Sequence, residues 1–99
     1  MAARVTPDDV LDLLVDGIRS VMALGDRDLG LAGRPRSAWR EVRFDEDLHA
    51  DSLDLVEVIE GVERALARRG VAVRVDDVEL VRLLRVGDAA DAIAASAAP

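Results

Sequence analysis

The chain has 99 residues, room for one small domain, 1–99, whose core must be compact because only about 60% of the unfolded surface of so short a chain is buried on folding. Hydrophobic residues make up 51% but aromatics only 2%, Trp39 and Phe44, a supply that suits packed helices better than a β-sandwich. The net charge of −7, with 20 acidic residues against 13 basic ones, makes nucleic acid and anionic membranes poor partners and basic protein surfaces good ones.

The first helix is signalled by Thr6 as cap, Pro7 at the first helical position, and Asp8 and Asp9 at the positive end of the dipole. Val10, Leu13, Leu14, Ile18, Val21 and Met22 then recur at helical spacing, and Gly25 is the expected stop. Residues 26–47 read as a long connection punctuated by Gly30, Gly33, Pro35 and Ser37, with a short helical turn allowed over Ser37 to Val42. A connection of this length needs apolar anchors, and Trp39, Val42, Phe44 and Leu48 are the candidates.

A second helix is predicted from Ser52 to Arg69, ending at Gly70. On a wheel of about 100° per residue, Leu55, Val58, Ile59, Val62 and Leu66 form its core stripe. Asp76, with Glu79 three residues on, opens a short third helix whose inner face is Val78, Val81 and Leu84. Gly87 and Asp88 break and re-cap the chain before a last helix, Ala89 to Ala97, anchored by Ile93. The ordered core is expected over about 6–95, with Ala98 and Pro99 fraying.

Chemistry is constrained by what is missing. With no Cys and one His, His49, the chain has no thiol nucleophile, no disulfide and no Cys-based or His-rich metal site. Ser52 and His49 invite comparison with a Ser–His hydrolase, but no nucleophile-elbow glycine pattern accompanies them. No catalytic and no metal-binding residue is therefore assigned. His49 reads as a solvent-facing loop residue, Trp39 as a lid over the core, and Arg34, Arg36, Arg40 and Arg43 as partners of the protein's own acids. No window approaches the roughly 18 apolar residues of a membrane span, and a basic-then-apolar leader pattern is missing, so a cytoplasmic protein is expected.

The informative segment is the start of the second helix. Residues 45–63 carry eight acids and no base, whereas residues 64–74 carry four Arg and no acid. Asp51 can cap the helix, with Asp54 at the third helical position, which leaves the Ser52 hydroxyl free to project beside unpaired backbone N–H groups. Such a terminus accommodates a phosphodiester. The alternative is that Ser52 itself caps the helix. Asp54, Glu57 and Glu60 fall opposite the core stripe at a spacing that costs about 0.2–0.5 kcal/mol per like-charged pair, partly offset by the dipole and by Arg64. Leu53 lies among them, where the core cannot use it, and a local rule broken without local gain marks a candidate interaction surface.

The run Phe44-Asp45-Glu46-Asp47-Leu48-His49-Ala50-Asp51-Ser52-Leu53-Asp54-Leu55-Val56-Glu57 resembles the prosthetic-group attachment region of acyl carrier proteins, and Val86-Gly87-Asp88 with Ala89, Ala90 and Ile93 is similar to that family's entry into its last helix. The resemblance implies an all-α, four-helix acyl-carrier-like bundle with a long loop between helices one and two and a short third helix. It also implies 4′-phosphopantetheine, covalently attached from coenzyme A to Ser52 beside Asp51, holding an acyl intermediate as a thioester. Leu53, Asp54, Val56, Glu57 and Glu60 would be read by partner enzymes, and cargo would lie between helices two and three, where Gly61 gives local room or allows close helix approach.

The implied partners are a phosphopantetheinyl transferase, an acyl-loading ligase or acyltransferase, and a ketosynthase or other acyl-processing enzyme, acting on a monomer. His49 stands where many members have Gly, Glu60 replaces an often apolar position, and the first connection and Arg68 to Val75 are long. The first two departures bear on the turn before Ser52 and on partner contacts, and the two long stretches point to polyketide or other specialised assembly rather than primary fatty acid biosynthesis. Two rival readings remain open: an aminoacyl or starter-unit carrier, and an acidic helical docking module with no prosthetic group.

Overall fold

The structure, a computed structural model, describes residues 5–97. It is all-helical. Helix α1 spans Pro7–Met22, α2 Ser52–Arg68, α3 Val78–Arg82 and α4 Val86–Ser96, and a 3-10 turn covers Arg36–Glu41 in the first connection. Among the described residues there is no β-strand, and no helix is long and apolar enough to cross a membrane. The expected fraying of Ala98 and Pro99 lies outside the described residues.

Helix α1 begins with a reciprocal cap: the Asp9 N–H donates to Thr6 Oγ1 at 3.2 Å, and the Thr6 N–H donates to Asp9 Oδ2 at 3.0 Å. The Thr6 N–H holds the Asp9 carboxyl below its usual range. Val10, Leu14 and Ile18 are buried as the spacing predicts, joined by Leu11 and Val15, while Leu13, Val21 and Met22 are half-buried. The predicted stop at Gly25 is corrected: α1 ends at Met22, and Ala23 takes the left-handed conformation with φ 55°. Gly25 serves the next turn, donating its N–H to Asp28 Oδ2 at 2.8 Å.

Helix α1 packs against α2 and α4, α3 packs on α2, and the 3-10 turn packs on α4 and α1. The complete predicted stripe of α2, Leu55, Val58, Ile59, Val62 and Leu66, is buried. Gly17 of α1 marks the close approach to α2, because a Cβ there would stand 3.2 Å from Val58 Cγ1. Gly61 does not: a Cβ added to it would meet nothing within 4 Å, which corrects the expectation of helix-to-helix contact at that position.

The long connection is pinned from inside. Trp39, Val42, Phe44 and Leu48 are all buried, so Trp39 is a core residue with no face left for a partner. Its indole Nε1–H donates to Asp26 Oδ1 at 3.0 Å, and Arg19 of α1 donates to the same oxygen at 2.6 Å. Arg19 chiefly, helped by the indole, holds the Asp26 carboxyl below its ordinary range. One carboxylate thus ties α1 to the connection. Three of the four arginines expected to balance the protein's own acids do so: Arg36 lies near Asp12 and Asp16, Arg40 pairs with Asp91, and Arg43 with Asp45, whereas Arg34 pairs with no acid among the described residues.

The last third of the chain departs most from expectation. Asp77, not Asp76, caps α3, its Oδ1 accepting from the Leu80 N–H at 3.1 Å, so Glu79 is not engaged in a capping box with Asp76. Helix α4 starts at Val86 rather than after a break at Gly87 and Asp88, and ends at Ser96. Two backbone hydrogen bonds impose that start: the Val86 N–H donates to the Val42 carbonyl at 2.7 Å, and the Phe44 N–H donates to the Leu84 carbonyl at 3.3 Å. Gly87 is buried in the first turn, with Val86, Ala89 and Ala90 joining Ile93 in the core.

Candidate functional site

The approach to Ser52 is a tight, doubly anchored turn. The N–H groups of Asp47 and Leu48 both donate to the Arg43 carbonyl, His49 to Asp45, and Ala50 to Phe44 at 2.9 Å. Phe44, Leu48 and Ala50 are buried beneath it. His49 is exposed and holds φ 52°, the left-handed region that a glycine enters without strain, so the turn keeps a glycine-like backbone although the residue is His. Arg43 forks onto Asp45, with Nε–Oδ1 and Nη2–Oδ2 both at 3.1 Å. That pairing, with the Glu46 N–H, pulls the Asp45 carboxyl down to about 2.

On this mount, Asp51 is the N-cap of α2, its Oδ1 accepting from the Asp54 N–H at 2.8 Å. Ser52 is the first helical residue and is exposed. Among the described residues, the N–H groups of Ser52 and Leu53 have no intramolecular acceptor. The predicted division of labour therefore holds in the geometry, with Asp51 capping and the serine hydroxyl outside the cap.

Leu53 is 74% exposed, the most exposed large hydrophobic side chain described. Asp54 and Val56 are half-buried, and Glu57 and Glu60 are exposed beyond them, Glu60 lying 4.0 Å from Arg64. The helix thus carries Ser52 at its first position and, on the side away from the buried stripe, an exposed leucine and a run of carboxylates. Among the described residues, no group of His, Cys, Asp and Glu side chains is placed to hold a metal ion.

Three residues at the site were missed by sequence reasoning. Glu79 of α3 reaches across to α2, and its Oε1 accepts a hydrogen bond from the Ser52 hydroxyl. Leu80 of α3 and Leu83 at its C-cap are 58% and 56% exposed, further apolar surface near that contact in the chain. The two leucines were detectable, since assigning Val78, Val81 and Leu84 to the inner face of α3 leaves Leu80 and Leu83 outside. The Glu79 contact spans 27 residues and has no local signal.

Two mainly apolar grooves flank these elements. One, of about 480 Å³, lies between Ala67 of α2 and Ala72 and Val73, with Arg64 and Arg74 at its rim. The other, of about 290 Å³, separates α3 from α4 and is walled by Leu80, Val81, Leu84, Ala89 and Ile93. Ser52 lines neither.

In comparisons with known proteins, no family model, no curated protein and no solved structure matches the chain.

Proposed function

We propose that the chain is an acyl carrier protein that bears 4′-phosphopantetheine on Ser52 and passes an acyl intermediate between biosynthetic enzymes. The observation that carries this reading is the exposed Ser52 hydroxyl, left outside the cap of a 17-residue helix whose first two N–H groups are unpaired. The site fits a phosphodiester: Ser52 is exposed, Asp51 has already taken the capping role, and the free N–H groups and the helix dipole favour an anion once the Glu79 carboxylate, which accepts from the hydroxyl, moves aside.

When bound, the prosthetic group supplies the terminal thiol, absent from the polypeptide, on which the cargo rides as a thioester. The chain's residues supply attachment and recognition. Ser52 provides the oxygen, Asp51 fixes the helix start, and the anchored turn 43–50 holds both in place. Leu53 and Val56 offer apolar contact, while Asp54, Glu57 and Glu60 attract Arg and Lys patches on a phosphopantetheinyl transferase, an acyl-loading ligase or acyltransferase, and a ketosynthase. Contacts of this kind are fast, transient and salt-sensitive, as a shuttle requires.

The four-helix acyl-carrier-like arrangement, with its long first connection and short α3, belongs to the same reading, as does action by a monomer in the cytoplasm. The length of the connection and of the stretch Arg68 to Val75 favours polyketide or other specialised assembly.

The test is intact-mass spectrometry of the full chain incubated with coenzyme A and a broad-range phosphopantetheinyl transferase. The wild type gains one phosphopantetheine and Ser52→Ala gains none. No gain by the wild type, or an equal gain by both, overturns the proposal. A Ser52→Ala protein that keeps its full biological role identifies the prosthetic-group-free docking module instead.

A further inference from the structure

Helix α3 is held loosely. It has five residues, of which only Val81 is buried, and it follows a segment without regular structure. Among the described residues, two side-chain hydrogen bonds tie this region to α2. Glu63 Oε2 accepts from the Val75 N–H at 2.8 Å, before the helix begins, and Glu79 accepts from the Ser52 hydroxyl, within it.

A second partner waits on the other side of Glu79. Its Oε2 lies 3.9 Å from Arg82 Nε, too far for a hydrogen bond, and that Nε is buried and without a hydrogen-bond partner among the described residues. An unpaired buried N–H of a charged group is costly, so Arg82 is short of an acceptor that Glu79 can provide. The carboxylate thus stands between a hydroxyl with which it is hydrogen-bonded and a guanidinium with which it is only loosely ion-paired.

We propose that Glu79 is a clasp on unloaded Ser52 and that loading transfers it to Arg82, releasing α3 from the start of α2. The inference rests on the carrier reading for what loads Ser52, and on the two contacts of Glu79, with the Ser52 hydroxyl and with Arg82, for the switch. Loading forms a bond from Ser52 Oγ to the β-phosphorus of coenzyme A. The bond from that phosphorus to the bridging oxygen on the nucleotide side breaks, 3′,5′-ADP leaves, and the hydroxyl proton passes to solvent. Ser52 Oγ is then an ester oxygen with no proton to donate, and the attached phosphodiester carries a negative charge. Glu79 loses its donor and gains a like charge beside it, while Arg82 Nε offers a donor of opposite charge. Both changes drive the carboxylate the same way.

The consequence reaches the α3–α4 groove, because Leu80, Val81 and Leu84 form one of its walls. A clasped α3 keeps that wall fixed in the unloaded protein, and a released one lets it move when there is cargo to carry.

Amide hydrogen exchange across residues 78–84 of the full chain reads the clasp directly. In the unloaded protein, Ser52→Ala and Glu79→Ala each raise exchange there by about tenfold, the factor that one charged hydrogen bond of modest net strength supplies. The double variant rises no further than either single one. Ser52→Ala leaves the Asp51 cap in place, so unchanged exchange in the rest of α2 separates the effect from general unfolding. Loading the wild type, verified by mass, raises exchange over 78–84 to the same level and shifts the Arg82 Nε–H resonance, which in Glu79→Ala stays where it was.

A mass gain with unchanged exchange overturns the clasp and leaves the carrier reading standing. No mass gain overturns the carrier reading and with it the switch on loading. A Ser52→Ala variant as protected as the wild type removes the contact itself.

Discussion

Gly87 faces Arg40 across the junction of α4 and the 3-10 turn so closely that an added Cβ would stand 2.7 Å from Arg40 Cβ and 2.9 Å from its carbonyl oxygen. The obstacle includes backbone, which cannot swing aside. Glycine is required here for space and not for its conformational freedom, since Gly87 sits inside a regular helix.

Gly87→Ala therefore destabilises the fold by about 2 kcal/mol, the cost of overpacking, although Gly to Ala in a helix ordinarily gains up to about 1 kcal/mol. Chemical denaturation followed by circular dichroism gives the value; an unchanged or raised midpoint would falsify the close approach.

Gly61→Ala acts with the opposite sign. Its Cβ would enter open space on α2, so the helix gains about 0.5–1 kcal/mol with no clash to offset it. The same denaturation experiment, run beside Gly87→Ala, should displace the two midpoints to opposite sides of the wild type.

His49→Gly relieves a left-handed residue in the turn that mounts Ser52. The variant should gain about 1 kcal/mol in stability and, on the proposed carrier function, still accept 4′-phosphopantetheine at Ser52. A loss of stability would mean that the imidazole contributes a contact outweighing the backbone cost.

Asp45 supplies a pH dependence. Its folded-state value of about 2 lies below the ordinary 3.8, so the native state binds the proton less readily than the unfolded chain does. The stabilisation from the Arg43 fork is fully present above 3.8 and is lost as pH falls through about 2. Thermal melts of the wild type and Asp45→Asn should differ at neutral pH and converge across that window. Carboxyl carbon shifts should place the Asp45 midpoint near its lower edge, and a midpoint in the ordinary range would contradict the fork.

If the chain is the carrier proposed above, Asp54→Asn, Glu57→Gln and Glu60→Gln combined should slow loading of Ser52 by about tenfold at low ionic strength, and added salt should slow the wild type towards the variant. Transferase progress curves measure both. A wild-type rate indifferent to salt removes the electrostatic part of partner recognition.

Much of this is legible in the sequence because it is local. The Thr6 cap, the buried stripe of α2 and the Asp51 cap each follow from residues within a turn or two of one another. The candidate surface was legible for the same reason: Leu53 is out of phase with the stripe, and Ser52 is left over once Asp51 caps. What escaped was non-local or degenerate. Asp76 and Asp77 satisfy the capping rule equally well, and tertiary placement chose the second. Gly87 reads as a breaker until the 3-10 turn is laid against it, and Glu79 reads as part of a cap until α3 is docked on α2. Asp26, which accepts from both Arg19 and Trp39, has no sequence signature because its two donors lie seven and thirteen residues away on either side.

The single tryptophan has a practical corollary. Trp39 is the sole indole in a chain without tyrosine, and it is sealed in the core with its N–H on Asp26. Intrinsic emission from this protein consequently monitors one place only, the docking of the first connection onto α1. Fluorescence and ellipticity are thus independent witnesses, and any lag between them on heating would reveal the connection peeling away before the helices melt.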